Sequence, residues 1–225
     1  MKDLIDKILK YLPQYLSDFG YVFASPKRFM AERNSKPEDT LSQSLIFLAI
    51  SLVLRTIMTA PLLPPGRELW AYTAAEGIRW LLIVCLAAIT LHFAWRIVGG
   101  RASTRSFFVT YAYFFGVAVL ILTAFLLLSE GFFKVCEPDL YAKVIEAKLK
   151  KQPMPNVSGG WVHRVSFIIL VIGYCFTCVW TWIGWGAYRE LNGLNKIRSF
   201  FAFMIFGLLS WPMAAIAFFI GRAMS

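Results

Sequence analysis

Long stretches without a charged residue alternate along the chain with short basic stretches marked by glycine and proline. Between Arg105 and Glu130 lie 24 uncharged residues, between Arg164 and Arg189 another 24, and between Arg198 and Arg222 another 23. Crossing a hydrocarbon layer of ~30 Å takes about 20 mostly apolar residues in a helix, so 106–129, 165–188 and 199–221 each predict a transmembrane span. A shorter uncharged run, 80–95, is bracketed by Arg79 and Arg96. Their guanidinium groups can reach the headgroups from stems that stay in hydrocarbon, which extends this span to 78–98. Leu41–Leu63 is rich in Leu and Ile, is charged only at Arg55, and meets its stop at Pro61, Pro64, Pro65 and Gly66. The pattern predicts an all-α integral membrane protein: a cytoplasmic segment 1–40, then a five-span membrane domain 41–222 whose sizeable extramembrane loop is 130–164.

Residues 1–20 carry a different period. Leu4, Ile8, Leu12 and Leu16, with Ile5, Leu9 and Phe19, recur at helical spacing on one side, while Asp3, Lys7, Lys10, Gln14 and Asp18 fall opposite. Charges at Asp3, Asp6, Lys7 and Lys10 interrupt any signal-peptide core. The expectation is an amphipathic helix, kinked at Pro13, that either lies on the membrane surface or docks on the bundle. Within the long loop, Asp139–Lys151 reads as a short helix after Pro138, supported by Asp139/Lys143 and Glu146/Lys150 pairs. Asn156-Val157-Ser158 matches a glycosylation acceptor, a triplet that has meaning only in a secretory compartment.

Composition agrees with this reading. The 225 residues are 58% hydrophobic and 16% charged, with a mean hydropathy of +0.61, against about 45–50% apolar and 25% charged in soluble domains. An ordinary soluble enzyme is excluded, and no room remains for a large separate catalytic domain. Eight Trp and nine Tyr suit rings at two membrane interfaces. The net charge of +10 is uneven. With five spans, thirteen basic residues fall on the side of the N-terminus and nine on the other. The excess places the N-terminus in the cytoplasm and the C-terminus on the opposite side.

Few residues carry candidate chemistry. Arg55 lies within a span, where a guanidinium is kept for a cavity, a phosphate or a counter-charge, unless it snorkels to the interface. His92 and Arg96 share a helix face one turn apart, able to cradle a headgroup or simply to anchor the helix. Arg101 and Arg105, with Ser103 and Thr104 between them, place donors at headgroup level, either for a lipid phosphate or as a topology signal, and Ser103 or Thr104 is a plausible helix cap. Cys175 and Cys178 have the Cys-x-x-Cys spacing of a redox or metal site but fall deep in an apolar helix, where ordinary packing is the better expectation. No phosphate loop, dinucleotide fingerprint, nucleophile elbow or metalloprotease helix is present. No catalytic residue, metal site, cofactor or nucleic-acid partner is therefore expected.

The stretch Val98-Gly-Gly-Arg-Ala-Ser-Thr-Arg-Ser-Phe-Phe-Val-Thr-Tyr-Ala-Tyr113 resembles the bacterial branch of the Yip family of five-span membrane proteins. In that family a span ends in a Gly-Gly-Lys/Arg-Ala/Gly-Ser/Thr turn and the next opens on a Tyr-Ala element. Phe23-Ala-Ser-Pro-Lys-Arg-Phe29 is similar to the family's stretch before the first span, and Leu191-Asn-Gly-Leu-Asn-Lys-Ile197 to its turn between the last two. The resemblance covers most of 20–222, leaving out the amphipathic helix and the long loop. The acidic Asp-Leu-Tyr-Gly-Pro element of eukaryotic members is absent, so their Rab binding does not carry over. The resemblance implies a bacterial inner membrane protein with a cytoplasmic N-terminus.

The expected function is a non-enzymatic scaffold or accessory subunit of a membrane complex, organising anionic phospholipid or a partner membrane protein, which includes a second copy of the chain. The alternative is a transporter or lipid-translocation component in which Arg55 and the Arg96, Arg101 and Arg105 cluster handle an anionic headgroup. A weaker alternative is a thiol oxidoreductase using Cys175 and Cys178.

Overall fold

The computed structural model describes residues 2–34, 40–60, 69–150 and 160–223. The Pro61–Gly66 stop and the Asn156-Val157-Ser158 triplet lie outside them. Among the described residues eight helices follow one another: α1 Lys2–Ala24, α2 Pro26–Asn34, α3 Thr40–Thr59, α4 Leu69–Ile97, α5 Thr104–Cys136, α6 Pro138–Lys150, α7 Trp161–Leu191 and α8 Lys196–Ala223. No strand occurs among the described residues. Among the described residues four stretches are long and apolar enough to cross a membrane: Leu41–Thr59, Gly77–Ile97, Thr104–Cys136 and Trp161–Leu191. They make the chain compatible with a multi-pass integral membrane protein. The fifth uncharged window, 199–221, lies within α8.

Helix α5 is the hub, packed between α3 and α7, while α4 pairs with α8. Half of its apolar stretch is buried inside the protein, a larger share than in the other three. The close approach comes from small residues, which let helices meet where hydrocarbon offers no hydrophobic drive. Gly116 of α5 receives Phe47 and Ser51 of α3, and Gly184 of α7 receives the ring of Phe114 from α5.

At 33 residues and 1.5 Å per residue, α5 is about 50 Å long, more than the 40–45 Å of a bilayer with its headgroups. It runs past the predicted 106–129 and takes in Glu130 and Lys134. Its end falls where Pro138 disfavours helical geometry at the preceding residue; Glu137 has φ −136° and ψ 65°. Helix α6 starts at that proline and returns onto α5, with Tyr141 edge-on to Phe133 at 5.8 Å and Ala147 buried.

The N-terminal pair α1–α2 docks across the bundle. Tyr15, Asp18 and Val22 of α1, spaced three and four apart, are buried, as are Phe29 and Met30 of α2. Tyr15 stacks near Phe47 at 4.8 Å and shares a 3.1 Å hydrogen bond with Ser51 of α3. Phe29 meets Tyr113 of α5 at 4.8 Å, and the indole N–H of Trp180 of α7 donates to the Phe23 carbonyl at 3.1 Å. Leu12 and Phe19 pack at the edge of this contact, whereas Leu16 remains exposed.

Asp18 departs from the expected solvated face. Its side chain is 8% exposed and pairs with Arg33 at 2.6 Å, while Gln14 donates to it at 2.7 Å. Tyr113 donates to its second oxygen at 3.4 Å, and Arg33 also reaches Gln43 at 2.9 Å. A carboxylate on the docked face is tolerated because its lone pairs find these donors.

Candidate functional site

Two turns far apart in sequence meet at one end of the bundle. The first, 98–103, links α4 to α5. Gly99 has φ +92°, a left-handed conformation that favours glycine, and its N–H donates to the Arg96 carbonyl at 3.0 Å while that of Gly100 donates to Trp95 at 2.8 Å. Ser103 caps α5, accepting from the Ser106 N–H at 3.1 Å.

The second turn, 192–195, links α7 to α8 and begins at Asn192, which is buried. The Asn192 amide donates to Tyr188 at 2.8 Å, its side-chain oxygen accepts from the Ala102 N–H at 3.4 Å, and its backbone carbonyl accepts from Arg101 at 3.4 Å. A Cβ at Gly100 would stand 2.5 Å from the Asn192 side-chain oxygen and 2.7 Å from the Trp95 carbonyl. Asn192 thus locks the turns together, and only glycine at 100 lets it in. Asn195 then opens α8 by accepting from the Arg198 N–H at 2.9 Å.

Beneath the lock lies an aromatic floor. Trp95 is fully buried against Trp185 at 4.7 Å and Tyr188 at 6.2 Å; Phe107 and Phe114 each meet Tyr188 at 5.4 Å. Trp185 donates to Ser199 of α8 at 2.6 Å, tying the fourth long helix to the same floor.

Basic groups ring the locked turns. Arg96 extends its guanidinium to the Gly100 carbonyl at 3.4 Å, and that of Arg198 lies 3.7 Å from the position a Gly99 Cβ would take. Arg101 and Arg105 are exposed beside them. Glu190 is engaged by Lys27 at 3.6 Å. Among the described residues Arg96, Arg101 and Arg198 form no ion pair.

The sequence-predicted residues therefore divide. Arg96 reaches this rim, Arg101 is exposed on the turn itself, and Arg105 is exposed in the first turn of α5. His92 sits one turn below it, its ring 4.8 Å from Phe107 and its Nε2 3.5 Å from the Thr104 hydroxyl, so it fastens α4 to the start of α5. Arg55 belongs elsewhere: its guanidinium lies over the Trp80 ring at 4.1 Å, a cation–π contact between α3 and α4. Cys175 and Cys178 are free thiols exposed on α7, and no metal-binding cluster occurs among the described residues.

Sequence reasoning missed Asn192 and Arg198 as partners of the Gly-Gly turn, and Asp18 and Arg33 as the tie of the N-terminal pair. The only signal for the first was that both turns carry glycine beside basic residues. Nothing local marked the second.

Fold and site together describe a helical protein, compatible with a multi-pass membrane protein, with a locked basic surface at one end. Set against protein-family models, curated proteins and solved structures, the chain matches none of them.

Proposed function

We propose that the chain is a non-enzymatic five-span scaffold or accessory subunit of the Yip type in a bacterial inner membrane, with α8 as the fifth span. On this reading the N-terminus and the locked turns are cytoplasmic and the C-terminus lies opposite. The observation that carries the proposal is the gathering of Arg96, Arg101 and Arg198 at one Asn192-locked pair of turns. A fixed basic surface at a membrane face recruits anionic phospholipid or an acidic segment of a partner membrane protein.

The docked N-terminal pair supports the same reading. Leu12, Leu16, Phe19 and Phe23 form one edge of α1, and Phe23 reaches Phe176 at 6.3 Å, well inside α7. The opposite, polar edge carries Gln14, which together with Asp18 leads to Arg33 and Gln43 near the start of α3. A helix with its apolar edge toward mid-span and its polar edge toward the helix ends is oriented as an interfacial helix should be.

Native mass spectrometry of the chain extracted gently from its own membrane tests the proposal. A stoichiometric partner chain, a second copy or retained anionic phospholipid is the expected result. A bare monomer that carries no more anionic lipid than the bulk membrane does would refute it.

A further inference from the structure

We infer that the Gly99-Gly100 turn is a binding site for a phosphate oxyanion, held by Arg96, Arg101 and Arg198, with Asn192 as a positioning residue. This inference rests on the reading of the basic rim given above and names its ligand chemistry. Two guanidinium groups from helices a hundred residues apart are brought onto the same two-glycine turn. Neither they nor Arg101 ion-pair with a carboxylate among the described residues. Like charges gathered this way repel one another, and an anion between them turns the repulsion into attraction.

The turn itself leaves no doubt about which groups would do the binding. Its backbone donors are spent: Gly99 and Gly100 donate to α4, and Arg101 and Ala102 donate to Asn192. Recognition falls to the guanidinium forks, which match phosphate oxygens in pairs. Gly99 has no side chain to cover the turn, and Arg198 lies against that bare face.

Depth agrees with a phosphate. Helices α5 and α7, of 33 and 31 residues, are about 50 and 46 Å long, so their ends pass through the headgroup layer of a bilayer with ~30 Å of hydrocarbon. The locked turns stand at those ends. The phosphate is either that of a lipid headgroup or free in solution, and the two are separable.

The test uses the full chain in detergent, titrated separately with phosphatidylglycerol, phosphatidylcholine and inorganic phosphate, with bound ligand counted by native mass spectrometry. Phosphatidylglycerol is expected to bind more tightly than phosphatidylcholine. Arg198→Gln and Arg101→Gln should each weaken it about fivefold, the effect of one basic group near an anionic surface, and Arg198→Lys should recover part of the loss. Lys134→Gln, at the other end of α5, should leave binding unchanged. Displacement of phosphatidylglycerol by inorganic phosphate at comparable concentration would assign the site to free phosphate.

Equal weakening by Arg198→Gln and Lys134→Gln, or none by either arginine variant, overturns the site. If that happens while a partner chain still co-purifies, the scaffold proposal survives and this inference alone fails. Arg101 is exposed on the turn and supports no packing, so its variant reports binding even if Arg198→Gln misfolds.

Discussion

The two ends of the bundle are built in opposite ways. At the turn end, Asn192 closes the 98–103 and 192–195 segments over a floor of Trp95, Trp185 and Tyr188, and α1–α2 lies across the neighbouring helix faces. At the α6 end, α5 and α7 leave an open groove of about 570 Å³ lined by Phe125, Leu128, Gly131, Phe132, Ile169 and Ile172. One end spends polar side chains to fix its shape; the other presents apolar surface that lipid can fill without any fixed geometry. The contrast teaches where specificity resides. The turn end holds several arginines in a defined arrangement, and a defined arrangement is what recognition of an anion requires.

Paired glycines give the strongest way to break the contrast. Gly100→Ala should cost about 3 kcal/mol, because its methyl meets the Asn192 side chain and a backbone carbonyl in a packed site. Asn192→Ala should cost about 2 kcal/mol by leaving buried backbone groups unsatisfied. Thermal melting in detergent reads both, and an unchanged midpoint for Gly100→Ala would mean the turns do not meet.

Asp18→Ala should cost about 2 kcal/mol. It removes the partner of a buried carboxylate–guanidinium pair, but Arg33 is 24% exposed and keeps Gln43. Its loss should show locally, as faster hydrogen exchange across 10–33 with little change across 104–120. Uniform acceleration would contradict a separately docked pair.

At the α6 end, Gly131→Ala should be neutral or stabilise by up to about 1 kcal/mol. Nothing lies within 4 Å of the added carbon, and alanine is the better helix former. Destabilisation comparable to that of Gly100→Ala would erase the contrast between the ends.

The smallest effect is a pH response of the N-terminal pair. Tyr21 donates to the Glu32 carboxylate at 2.6 Å, which raises its phenol above the ordinary value, and the Arg28 guanidinium only partly offsets this. A raised value means the neutral phenol is the form the fold favours. The contact is therefore intact below about pH 10 and lost as pH rises through the raised value. Protease sensitivity of 10–33 should increase there in the parent chain, and the step should vanish in Tyr21→Phe.

Much of the fold was legible because charge is costly in hydrocarbon. The uncharged windows fall within α4, α5, α7 and α8, and a helix runs from Pro138 to Lys150. The boundaries of α5 were not legible, since the cost of charge ends at the headgroups while the helix continues. The Ser103 cap could be named from a local rule, and it caps α5.

The site was half legible. Arg96, Arg101 and Arg105 are close in sequence, so their clustering could be seen, but Arg198 and Asn192 reach them only through the packing of α8 on α4 and of α7 on α5. Asp18 was misplaced for a related reason. A helical wheel assigns a carboxylate to solvent, and only the fold supplies Arg33, Gln14 and Tyr113 to hold it inside. No carboxylate lies within the predicted spans to meet Arg55, and in the fold its guanidinium lies over the Trp80 ring, a contact that spacing alone did not suggest.

The central claim is that the two basic turns form one surface on one membrane face. Impermeant maleimide labelling of single cysteines tests it most directly, with Ser103→Cys and Asn195→Cys placed in a chain lacking the native thiols, and native Cys136 kept as the reference in a third. In intact cells and in inverted vesicles, Ser103→Cys and Asn195→Cys should label from the same side, and Cys136 from the other. Labelling of Ser103→Cys and Asn195→Cys from opposite sides would contradict the account.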